Sequence, residues 1–179
     1  MTSNYREAVR RRLWPSGFRR DVWSILDGAR DSRIYAYLLD SYLESSCLYS
    51  GQLPRELETA APYLVNLEQD DVLTGRLTDI GWGQSWGVFL KTNASMPRLR
   101  RHLREFLLVR DPAGRRLVFR YYDPRVLRVY LPTCTTEELR TFFGPIEAFW
   151  MEGKDPSVML EFLFDGRKLT QNTIELAPA

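Results

Sequence analysis

Histidine and cysteine are nearly missing from this chain, with one of the first and two of the second in 179 residues. A zinc site of the usual kind needs several such ligands at short spacing, and neither Cys47 nor Cys134 has another cysteine or a histidine close by in sequence. Two distant cysteines form no disulfide framework, so both are read as buried thiols. Catalysis through a Ser–His or Cys–His arrangement would have to use His102, which sits between Arg101 and Leu103 on a predicted helix. No serine or cysteine lies in a nucleophile elbow, and His102 is expected as an exposed helix histidine. No catalytic residue, metal or cofactor is expected.

Long apolar runs are absent as well. The N-terminus has no 7–15-residue apolar segment, because Arg10, Arg11 and Arg12 are followed by Leu13, Trp14 and then Pro15. No later stretch approaches the ~20 apolar residues of a membrane span. The expectation is a cytoplasmic protein with no membrane partner.

Lysine is the third scarcity. Of 25 basic residues, 22 are arginine and three are lysine. Arginine makes bidentate contacts and stacks on aromatic rings in ways lysine cannot, which suits an interface; a solvated face in an arginine-rich protein is the plainer explanation. The charges are segregated: residues 1–20 carry six Arg against one Glu, residues 21–91 eleven acids against five bases, and residues 92–128 ten Arg against three acids. Aromatic residues make up 13% of the chain, more than a modest core needs, which again points to either a rich core or a contact surface.

The hydrophobic periodicity predicts alternating helices and strands. Tyr5, Val9 and Leu13 have helical spacing, and Pro15 and Gly17 break that helix, so residues 1–20 read as an Arg-rich helix or arm. Residues 21–179 read as one α/β domain. Strands are expected at Asp21–Asp27, Cys47–Tyr49, Tyr63–Leu67, Trp86–Leu90, Leu107–Arg110, Leu117–Tyr122, Ile146–Met151, Val158–Phe164 and Lys168–Ile174. Asp31 caps a helix carrying Ile34, Tyr35, Leu38, Leu39 and Tyr42; another, from Asp71, carries Leu73, Leu77 and Ile80 and ends at Gly81 as a C′ glycine. Short helices follow Pro54 and the Thr135–Glu138 capping box. Met96 to Glu105 is amphipathic, with Arg98, Arg101 and Arg104 on its polar side. Asp111-Pro112-Ala113-Gly114 is a turn, Asp123-Pro124 opens a helix, and Asp165-Gly166 marks a hairpin. The sum is a mixed β-sheet with flanking helices and an antiparallel C-terminal hairpin.

Gly81-Trp82-Gly83-Gln84-Ser85-Trp86-Gly87 has the glycine content of a phosphate loop but the wrong order: a helix ends and a strand begins. Its glycines serve a cap and a tight turn, while Trp82 and Trp86 either pack inward or offer one ring to a partner. Paired acids such as Asp70–Asp71 and Glu137–Glu138 are explained by helix starts.

Two stretches carry a family likeness. GWGQSWGVFLKT (Gly81–Thr92) and FRYYDPRVLRVYLPT (Phe119–Thr133) resemble the signatures of the Tec/Tap-type effector chaperones of bacterial type VI secretion. WSILDGARD (Trp23–Asp31), CLYSGQLPRELETAAPYLVNLE (Cys47–Glu68) and TFFGPIEAFW (Thr141–Trp150) fit in the same order. The resemblance implies an adaptor that binds a toxin in the producing cell and helps deliver it to the VgrG spike, without catalysis or cofactor. Many relatives continue into a further helical region, which this sequence lacks after its C-terminal hairpin. In the second signature Asp123, Pro124 and Val126 have structural explanations. Arg120 is placed on a strand among large apolar residues, so it needs a carboxylate, either Asp123 or one from another segment. The candidate partner-binding residues are Trp82, Trp86, Arg98, Arg101, Arg104, Arg120, Tyr122 and Arg125. The rival class is nucleic-acid binding, with arginines gripping phosphates and Phe119, Tyr121 and Tyr122 stacking bases; a pI near 8.6 and the absence of a known signature argue against it. An enzyme acting on a phosphorylated or carboxylated substrate ranks third.

Overall fold

Residues 5–15, 21–111 and 113–177 are described by a computed structural model. The expected break at Gly17 and Pro112 of the expected turn lie outside the described residues. In chain order the elements are α1 (Arg6–Leu13), β1 (Val22–Asp27), α2 (Ser32–Leu39), β2 (Ser45–Cys47), α3 (Arg55–Thr59), β3 (Pro62–Leu67) and α4 (Val72–Arg76). A π-helical turn, Leu77–Gly81, prolongs α4. There follow β4 (Gly87–Lys91), α5 (Met96–Arg104), β5 (Leu108–Arg110), β6 (Arg116–Val118), α6 (Pro124–Tyr130) with a 3-10 turn at Leu131–Thr133, α7 (Thr136–Phe143), β7 (Ala148–Glu152), β8 (Val158–Phe164) and β9 (Leu169–Glu175).

Period-two alternation sends successive side chains of each central strand into two different cores. Trp23 and Ile25 of β1, Val88 and Leu90 of β4, and Phe149 and Met151 of β7 join one cluster with Leu99 and Leu103 of α5, Leu127 of α6 and Phe142 of α7. Val22, Leu26, Phe89 and Trp150 face the other way, onto Val9 and Leu13 of α1, Ile34 and Leu38 of α2 and Leu73 of α4. Helices therefore cover both faces, which explains why all six residues of β1 are buried. The first core is dominated by rings: Phe142 meets Phe106, Phe119, Tyr121, Tyr130 and Phe149. Most of the expected aromatic surplus goes here.

The sheet runs β2-β3-β1-β4-β7-β8-β9, and every neighbouring pair is antiparallel. The α/β reading holds, but the mixed sheet does not. The helical crossovers do join parallel strands, β1 to β2 and β3 to β4, yet each skips one position. β3 fills the first gap and β1 the second, each antiparallel to both its neighbours. The C-terminal hairpin forms as expected, with Gly166 at φ +89°. β5 and β6 make a separate two-stranded ribbon.

Several local expectations are corrected. Leu39 at the end of α2, Tyr42 beyond it and Ile80 in the π-helical turn after α4 are exposed. Gly81 has no positive φ; a side chain there would strike the Trp86 ring at 2.8 Å, so packing and not capping requires glycine. His102 is half-buried: its Nε2–H donates to the Phe142 carbonyl (2.8 Å), and its ring packs edge-on to Phe106. Gly144, at φ +50°, lies against that ring, and an added Cβ would sit 2.3 Å from it. Cys47 and Cys134 are free thiols and only half-buried. Among the described residues no helix is long and apolar enough to cross a membrane, and no cluster of His, Cys, Asp and Glu could hold a metal ion.

Candidate functional site

Three of the sequence stretches singled out above meet at the C-terminal end of β1. Asp27 ends that strand fully buried, in the middle of WSILDGARD. Its backbone N–H donates to the Trp86 carbonyl (2.8 Å), which belongs to the GWGQSWG loop. Its carboxylate accepts a hydrogen bond from Arg120 Nη2, from FRYYDPR, and another from the Ala29 N–H (3.2 Å). Gly28 follows because a side chain there would lie 2.6 Å from the carbonyl oxygens of Thr59 and Ala61.

Arg120 is not on a strand. β6 stops at Val118, and residues 120–123 turn, with Asp123 N–H donating to the Arg120 carbonyl (3.0 Å). The large apolar neighbours pull their own chains inward while the guanidinium emerges with 41% of its side chain exposed. Its partner is Asp27 and not Asp123. The bond to Asp27 raises the Arg120 pKa further.

Asp123 opens α6 as expected, its Oδ1 accepting the Arg125 N–H at 2.9 Å with Pro124 in the first helical position. The same buried carboxylate takes the Arg125 side chain, at 3.0 Å from Nε and 2.6 Å from Nη2. Burial pushes the Asp123 pKa up, but the bonds from Arg125 outweigh it and hold the carboxyl below its usual value. Arg125 is thus explained within the fold: it folds back on its own cap, leaving 46% of its side chain exposed. Electrostatically Arg125 also senses Asp27, and Arg120 senses Asp123, so the two pairs act as one cluster. Chemically it offers two part-exposed guanidinium groups, each held in place by a buried carboxylate. That arrangement suits bidentate recognition of carboxylates with little ordering cost.

Beside it, the GWGQSWG loop wraps a third buried acid. Glu152, at the end of β7, accepts from Gly83 N–H (2.6 Å), Ser85 N–H (2.9 Å) and the Ser85 hydroxyl (3.1 Å). Gly83 and Ser85 both reach this carboxylate from left-handed backbone, at φ +83° and +58°. Burial raises the Glu152 pKa against these bonds. Arg128 of α6 donates to the carbonyls of Glu152 and Gly153 (3.3 and 2.8 Å). Trp82 Nε1 donates to the Pro156 carbonyl (2.7 Å). Nothing in the sequence singled out Glu152 or Asp27, since each is a lone acid closing an apolar strand; a buried strand that ends on a carboxylate was the available signal.

The eight candidate residues therefore divide. Arg120 and Arg125 lie together at the surface. Tyr122 adjoins them but is buried, and burial raises its phenol pKa. Trp82 and Trp86 are buried too, both in the α1/α2/α4 core. These three pack into the two cores and leave little ring surface for a partner. Trp86 is touched from outside by Arg33, whose guanidinium lies 5.2 Å from the ring centre. Arg98 and Arg101 are exposed and Arg104 half-exposed on α5, and none of the three forms an ion pair or hydrogen bond among the described residues. Arg100, which the sequence did not mark, instead turns inward to the Cys47 and Tyr49 carbonyls (2.9 and 3.4 Å).

A protein-family model described as Domain of unknown function (DUF4123) matches residues 22–141. That span includes β1, the GWGQSWG loop and all of α6, so the Asp27, Arg120, Asp123 and Arg125 cluster lies wholly within it, whereas Glu152 and the last three strands lie beyond it. No curated protein and no solved structure matches the chain.

Proposed function

The chain belongs to the DUF4123 family, and from that premise we propose that it is an adaptor chaperone of bacterial type VI secretion. In this reading it binds one effector toxin in the cytoplasm of the producing cell and promotes its loading onto the VgrG spike. It works by binding alone, without a catalytic group or cofactor.

One observation carries the proposal: the stretches that resemble the Tec/Tap-type chaperones converge on Asp27 and leave Arg120 and Arg125 part-exposed and rigidly held. A buried carboxylate behind each guanidinium fixes its direction before any partner arrives, so less side-chain entropy is lost on contact. An effector surface bearing carboxylates would complete the remaining donors of both groups. The unpaired arginines of α5 would add long-range attraction, which acts mainly on association rate.

The test is co-expression with the toxin candidate encoded beside the gene, followed by affinity capture. The adaptor reading expects a stoichiometric complex and less aggregated toxin. If no neighbouring toxin co-purifies and its secretion is unchanged without this gene, the reading fails. Tight, salt-sensitive binding of generic oligonucleotides would instead support the nucleic-acid alternative.

A further inference from the structure

The β5–β6 ribbon stands apart from the seven-stranded sheet, and all six of its residues are exposed. Leu108, Val109, Leu117 and Val118 show between 37% and 57% of their surface to solvent. An isolated two-stranded ribbon is marginal in water, and exposed Leu and Val on it gain nothing from folding there. The register makes it stranger. Leu108 faces Val118, Val109 faces Leu117, and Arg110 faces Arg116. Directly opposed like charges weaken a ribbon. Among the described residues Arg110 reaches only the Gly114 carbonyl (3.1 Å) and Arg116 has no ion pair. Asp111, beside Arg110 in the chain, is taken by Arg115 at 2.7 Å.

On one face of the ribbon, then, lie an exposed apolar pair, Leu108–Val118, and a cationic pair, Arg110–Arg116, with no carboxylate partner among the described residues. We propose that this face is a docking surface for a polypeptide that sets apolar side chains against Leu108 and Val118 and carboxylates against Arg110 and Arg116. The charge pattern selects that occupant. A second copy of the same face would bring four guanidinium groups together. A membrane would meet the wrong order, because the apolar pairs lie at the base of the ribbon while Arg110, Asp111, Arg115 and Arg116 crowd its tip, which would have to enter hydrocarbon first. A nucleic acid would satisfy the arginines and leave Leu108 and Val118 uncovered. The ribbon is firmly rooted, since Phe119 N–H donates to the Leu107 carbonyl (3.0 Å) and Leu107 is buried in the aromatic core. It can therefore present this face without unfolding the domain.

The inference deepens the adaptor reading by giving the effector's binding segment a chemistry, but its test does not depend on that reading. A random 16-residue peptide library displayed on phage is panned on the full chain, and enriched peptides are synthesised and titrated. The expected sequences combine Leu, Ile, Val or Phe with Asp or Glu. Affinity should fall at least tenfold in Arg110→Glu and in Leu108→Ser/Val118→Ser. Arg110→Glu should melt no lower than the wild type, because it replaces a repulsive cross-strand pair with an attractive one. Peptides that bind both variants unchanged, or no enrichment, overturn the proposal. So does tighter binding of vesicles containing phosphatidylglycerol, or of a 20-nucleotide single strand, lost in the same variants. A neighbouring toxin captured equally by wild type and variants keeps the adaptor reading and removes the ribbon from it. Peptide binding at the ribbon with no toxin captured does the reverse.

Discussion

Arg120 and Asp27, 93 residues apart in sequence, share a hydrogen-bonded ion pair in which only the arginine reaches water: 41% of its side chain is exposed against 1% for the aspartate. Removing either partner is therefore not equivalent. Arg120→Ala leaves a buried carboxylate with only the Ala29 N–H, which should cost roughly 3 kcal/mol, the lower end for breaking a buried pair. Asp27→Asn keeps an acceptor and lets Arg120 hydrate, so about 1 kcal/mol is expected. Urea melts of both variants decide it; equal losses would contradict the asymmetry.

Asp123 and Arg125 separate scaffold from surface. Asp123→Ala removes a cap but strands no buried charge, because Arg125 is half in solvent, and a loss of about 1–2 kcal/mol is expected. Arg125→Ala leaves the buried Asp123 carboxylate with the backbone N–H of residue 125 alone, as Arg120→Ala leaves Asp27, so a loss of roughly 3 kcal/mol is expected here too. Under the adaptor proposal, effector capture measured where the variant is still folded should also weaken at least tenfold. Unimpaired capture by the folded variant would return this residue to the scaffold.

Glu152 predicts a pH effect. Its folded pKa is raised above the ordinary 4.5, so between that value and its folded pKa the folded state binds more protons than the unfolded one. Stability from this group is greatest at acid pH and is lost as pH rises through the folded pKa. Asp123 has the opposite sign: its lowered pKa contributes stability above the ordinary 3.8 that is lost only at lower pH. Glu152→Gln stays neutral at every pH and so removes the titrating group while keeping one carbonyl acceptor for the loop. It should lack the gain the wild type shows as pH falls from neutral toward 4.5. Parallel pH-dependent melts of the two proteins would refute this.

The sequence made the local elements readable wherever capping or turn chemistry was explicit. Asp31, Asp123 and the Thr135–Glu138 box cap as read, and Asp165-Gly166 turns its hairpin. What it could not carry was strand insertion: nothing in β1 or β3 says that each slots between two strands that a helix has joined. The same gap hid half of the site. Arg120 was recognised as needing a carboxylate, but its partner belongs to the first strand, and only the tertiary fold brings Asp27 there. For Trp82 and Trp86 the sequence leaves open inward packing or a partner contact; both are buried, in a loop that Glu152, some 70 residues later, pins down.

The α5 arginines test the long-range term. Arg98→Glu/Arg101→Glu/Arg104→Glu should leave the circular dichroism spectrum unchanged and slow effector association most at low salt. Unchanged association rates at low ionic strength would make them an ordinary solvated face.

The most direct measurement is the amount of neighbouring toxin in the medium of a strain deleted for this gene and complemented with either wild type or Arg125→Ala. The account predicts that deletion removes the toxin from the medium while general type VI secretion continues, that wild type restores it, and that Arg125→Ala restores little. Undiminished toxin release from the deletion strain would contradict the proposed function.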